Sequence, residues 1–130
     1  MRVELWRDDD AHDLLESPSL REQWERLYAE CPWASVFQAY GYVATWYAIY
    51  RPRFRPLLVA AKDADGSLTG LLPLAIPAAG DLVAAGGRQA EYQVWLARPG
   101  DGDAFIEAAL ERLADEYPGR ALTLQYLTPG

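Results

Sequence analysis

The chain has 130 residues, half of them hydrophobic and about a quarter charged, enough for one domain with a sizeable core of its own. Its formal charge is −7 and its twelve basic residues are scattered, which excludes the concentrated basic face that nucleic acid or an anionic membrane surface requires. Cys31 is the only cysteine, so an intrachain disulfide and a cysteine-based metal cluster are excluded as well.

No apolar run approaches the roughly 20 residues of a membrane helix. The opening "MRVELWRDDD" has neither a long apolar stretch nor an Arg-rich amphipathic pattern, so no export signal is visible and a cytoplasmic protein is expected. Lys62 is the sole lysine and asparagine is absent, a bias expected of a GC-rich bacterial genome.

"VELW" reads as a short opening strand ended by the acidic run Asp8 to Asp10. "SPSLREQWERLYAEC" follows as the clearest helix. Either Ser17 caps it with Pro18 at the first helical position, or Ser19 and Glu22 form a capping box. Leu20, Trp24, Leu27, Tyr28 and Cys31 make one apolar stripe, and Pro32 ends the helix. From Gln38 to about Tyr50 a second helix is expected. Tyr42, Val43, Trp46, Ile49 and Tyr50 form its apolar face, wide enough to be covered on two sides.

The period then changes to strands. "PLLVAAK", "SLTGLLPLAI", "DLVAAGG" and "EYQVWLA" are four of them, and Asp65-Gly66 marks a hairpin between the first two. "DAFIEAALERLADEY" is a helix with Phe105, Ile106, Ala109, Leu110, Leu113 and Tyr117 on one stripe and Asp103 as its cap. "ALTLQYL" is a last strand. The expected order is β-α-α-β-β-β-β-α-β, an α+β fold with a mixed, mostly antiparallel sheet and helices on its faces.

That order is also the order of the GCN5-related N-acetyltransferase fold. The segments "WERLYAEC", "ASVFQAYGYVATWY", "GSLTGLLPLAI" and "AAGGRQAEYQVWLA" together resemble the CelD/BcsL-type, cellulose-biosynthesis acetyltransferase-like branch. The resemblance spans roughly residues 14 to 117. It implies that residues 1–130 form a single domain corresponding to the N-terminal half of a longer tandem protein. It further implies transfer of an acyl group from acetyl-CoA or another acyl-CoA to a small amine, hydroxyl or saccharide acceptor. This half would shape the acceptor side, and its partner would be a second such half or another copy.

In that fold the pyrophosphate of acyl-CoA sits on a helix N-terminus after a glycine pattern. The matching segment is "ARPGDGDAF", with Gly100 and Gly102 as the candidate cofactor-binding glycines. Ala97 stands where the pattern has Gln or Arg, and Asp101 and Asp103 would set carboxylates beside a pyrophosphate. The cofactor is therefore expected on the other half and not on this chain alone.

"GGRQAEY" is the segment expected to act. Glycines at a strand end allow close approach of a ligand, Arg88 could pair an anion, Glu91 could accept an amine proton and Tyr92 could donate one. The bland alternative is a surface turn with an Arg88–Glu91 ion pair. Gln38, Tyr40 and Tyr47 are candidate substrate-binding residues from the aromatic helix. His12, in "DDDAHD", reads as part of a solvated acidic turn, and its metal-site alternative lacks the glycine and ligand spacing of a calcium loop. Cys31, on an apolar stripe, reads as buried and inert. A non-catalytic scaffold or dimerisation module using the aromatic face is the competing reading.

Overall fold

The computed structural model describes residues 2–87, 90 and 92–124. Its elements are β1 (Val3–Arg7), α1 (Asp8–Leu15), α2 (Pro18–Glu30), a 3-10 turn (Val36–Gln38), α3 (Tyr40–Tyr50), β2 (Arg55–Lys62), β3 (Leu68–Ile76), β4 (Leu82–Ala84), β5 (Leu96–Ala97), α4 (Gly102–Glu116) and β6 (Leu122–Thr123). The sheet runs β1-β2-β3-β4-β6, with β5 also pairing β3. All pairs are antiparallel except β4–β6, which is parallel and connected through β5 and α4. The fold is thus α+β with a mixed, mostly antiparallel sheet.

Both faces of the sheet are covered, which is why β2 reads as a continuous apolar run and not an alternating one. Leu58 and Ala60 pack with α1, α2 and α3 through Ala11, Leu20, Trp24, Leu27, Val43 and Trp46. Leu57, Val59 and Ala61 pack on the other side with Phe105, Ala109 and Leu113 of α4. Gly70 of β3 faces α4 so closely that a Cβ there would lie 2.4 Å from the Phe105 ring. The hairpin between β2 and β3 turns at Gly66, with φ +83, while Asp63 Oδ1 accepts the N–H groups of Asp65 and Ser67.

The acidic run is not a turn. Asp8, Asp9 and Asp10 begin α1, because carboxylates favour the first turn of a helix and Ala11 and Leu15 supply buried anchors. Asp8 takes φ +54, and its carboxylate accepts two bonds from the Arg55 guanidinium, 2.7 and 3.0 Å long. That pair lowers the Asp8 carboxyl pKa below its ordinary range. His12 lies on this helix, its pKa lowered mainly by burial and then by the Arg51 charge.

Ser17, not Ser19, caps α2: its hydroxyl accepts the Leu20 N–H at 3.4 Å, with Pro18 at the first helical position. The expected single helix from Gln38 is broken at Ala39, whose ψ of 142° separates the 3-10 turn from α3. Tyr42 and Tyr50 are half-buried. Val43, Trp46 and Tyr47 are buried, so α3 presents one face to the sheet. Ile49, six residues after Val43, points the other way and is 65 % exposed. The apolar surface of α3 is therefore covered on one side only. Leu110 likewise leaves the α4 stripe, at 44 % exposure. The expected cap of α4 also differs: Asp101 holds the N-cap position, and no side chain makes the capping bond.

Candidate functional site

The edge strand beside β3 is interrupted, and Pro73 is the physical reason. β4 pairs with Leu74 and Ala75, and β5 pairs with Gly70 and Leu71. Only Leu72 and Pro73 separate these contacts on β3, whereas residues 85–95 separate them on the edge. In the register that pairs Leu74 with Ala84, the next pair is Pro73 with Ala85, which would exchange two backbone bonds. It makes one, Ala85 N–H to the Pro73 carbonyl at 3.0 Å, because proline has no N–H to return. The chain then leaves the sheet at Gly86 and Gly87, with φ +98 and +51. A Cβ on Gly86 would lie 2.7 Å from that of Ala90 and 3.2 Å from the Tyr42 ring, so this turn needs glycine twice over. Among the described residues of "EYQVWLA", the strand is accordingly limited to Leu96–Ala97.

Buried amides fix this strap. Gln38 Oε1 accepts the backbone N–H and the hydroxyl of Ser35, both at 2.8 Å, and its Nε2 donates to the Tyr92 carbonyl at 2.6 Å. Gln93 Nε2 donates to the Gly87 carbonyl at 2.8 Å. Trp33 Nε1 donates to the Trp95 carbonyl at 2.6 Å. The Phe37 ring meets Tyr42 edge-on at 5.3 Å between centroids and tilts against Tyr92 at 6.4 Å. A cleft of about 10 Å³, room for one water, lies between Phe37, Gln38, Val43, Pro73, Ala85 and Gln93. Against Phe37 on its outer side stand Tyr92, 41 % exposed, and Tyr42, whose phenol is held above its usual pKa first by burial and then by Tyr50. Neutral phenols of this kind donate hydrogen bonds and present an aromatic face.

Of the residues singled out from sequence, Tyr92 stands here against Phe37, while Arg88 and Glu91 lie outside the described residues. Gln38 is at the site but buried, with its amide engaged in holding the strap. Tyr40 is half-buried away from the cleft: its hydroxyl donates to the Leu15 carbonyl, its ring meets Trp24 edge-on at 5.5 Å, and the Arg21 guanidinium lies over its face. Tyr47 sits in the core. Its hydroxyl donates to the Leu74 carbonyl at 2.6 Å, and burial pushes its pKa well up. Both tyrosines act as packing residues whose polar tips find backbone carbonyls.

Gly100 makes the turn before α4 at φ +85. Gly102 is the first residue of α4, and a Cβ there would lie 2.7 Å from the Trp33 ring. Glycine is thus required by the indole packed on the first turn of the helix, with Asp101 and Asp103 beside it. Cys31 is buried at the end of α2. Among the described residues no group of His, Cys, Asp and Glu side chains could hold a metal ion, and no helix is long and apolar enough to cross a membrane.

Phe37, Pro73, Gln93 and Trp33 shape the site without having stood out as site residues in the sequence. A proline inside an otherwise unbroken apolar strand was the available signal. The chain matches no protein-family model and no curated protein.

Proposed function

We propose that this chain is the acceptor-side half of a GCN5-related acyltransferase-like protein, with acyl transfer from acyl-CoA to an amine or hydroxyl acceptor completed by a second half. The observation that carries the reading is the aromatic cluster at the interrupted edge strand, where Phe37, Tyr42 and Tyr92 meet a glycine turn. Such a surface offers a small acceptor an apolar wall, phenol donors and backbone that a ligand can approach, and a second half would have to close over it to complete a pocket. The cofactor is assigned elsewhere because Trp33 packs on the first turn of α4 and two carboxylates flank it. Like charges near a pyrophosphate oppose the attraction of the helix terminus.

Titration separates the parts of this reading. Acetyl-CoA added to the 130-residue chain should give no saturable heat. Putrescine, glucosamine or cellobiose should move the amide resonances of Gly86, Gly87 and Tyr92. Saturable acetyl-CoA binding would overturn the assignment of the cofactor to another half, and resonances unmoved by every acceptor would overturn the acceptor role.

A second reading, a dimerisation module, has its own observation. α3 carries no acidic or basic side chain over its eleven residues, and Gly41, Thr45, Ala48 and Ile49 form its exposed side. The exposed side of α2, by contrast, carries the pairs Arg21–Glu25 and Arg26–Glu22. Were two α3 helices to cross antiparallel about Thr45, Ile49 of each copy would lie over Gly41 of the other, where a Cβ would meet open space. Light scattering on the native chain and on Ile49→Glu decides this. A dimer lost on substitution with the melting temperature unchanged supports the module, and a native chain that stays monomeric up to millimolar concentration rejects it.

A further inference from the structure

We draw no further inference here: the strongest candidate, the part-exposed aromatic cluster of Phe37, Tyr42 and Tyr92 at the mouth of the strap, belongs to the site already described, and nothing in the structure shows what covers it.

Discussion

β3 meets its two neighbours in very different ways. Along β2 it pairs from Leu68 to Ile76, with one irregularity near Lys62. Along its other edge, among the described residues, it pairs only at two short stretches, four residues in all, around the strap. Pro73 serves both sides. Opposite Leu58 of β2 it occupies a position whose backbone groups point away from β2, so the missing N–H costs nothing there. Opposite Ala85 the same absence ends the ladder. One residue can therefore be neutral on one edge of a strand and site-forming on the other, because backbone donors alternate between edges.

If the β2 side is the cooperative core and the strap a locally held addition, substitutions on the two sides should differ in kind as well as in size. The largest effect is expected from Phe105→Ala, which empties the space over Gly70 and should lower global stability by about 3–5 kcal/mol. Urea unfolding should show it as a single transition at lower denaturant. Loss of strap protection alone, with the global midpoint unmoved, would break the comparison.

Gln38→Ala comes next. It leaves the Tyr92 carbonyl without its donor and the Ser35 N–H without its acceptor, a cost of about 1–3 kcal/mol for unpaired buried groups. Hydrogen exchange should concentrate the change at residues 92–94 and the 3-10 turn. Acceleration spread equally over β2 would mean that the strap is part of the core after all.

The smallest and most pointed test is Pro73→Ala. It restores an N–H that faces Ala85, and the new amide should exchange slowly, with a gain of about 1 kcal/mol for the added hydrogen bond. A freely exchanging amide at position 73 would show that something other than the proline interrupts the edge strand.

Much of this organisation is legible in the residues themselves. The α2 stripe places Leu20, Trp24, Leu27 and Cys31 in the core, Ser17 and Pro18 start the helix, and Asp65-Gly66 makes its hairpin. These are local matters of period, cap and turn. The aromatic helix is where local reading falls short. Every position of α3 between Tyr42 and Tyr50 except Thr45 is apolar or aromatic, so periodicity carries almost no contrast there. Tyr47 and Ile49 consequently exchange places relative to expectation, one in the core and one in solvent.

The site follows the same division. The sequence determines that glycines end β4, that an aromatic segment follows Pro32, and that carboxylates flank the start of α4. Tertiary structure decides which tyrosines reach the aromatic cluster, since Tyr47 finds the Leu74 carbonyl and Tyr40 that of Leu15, while Tyr92 stays exposed against Phe37. It also decides the work of Gly102, which makes room for Trp33, a residue nearly seventy positions away in the chain. Capping, turn geometry and charge order act over a few residues and can be read from them. Close approach and ladder register are set by whichever strand or ring lies opposite, and only the folded chain brings those into place.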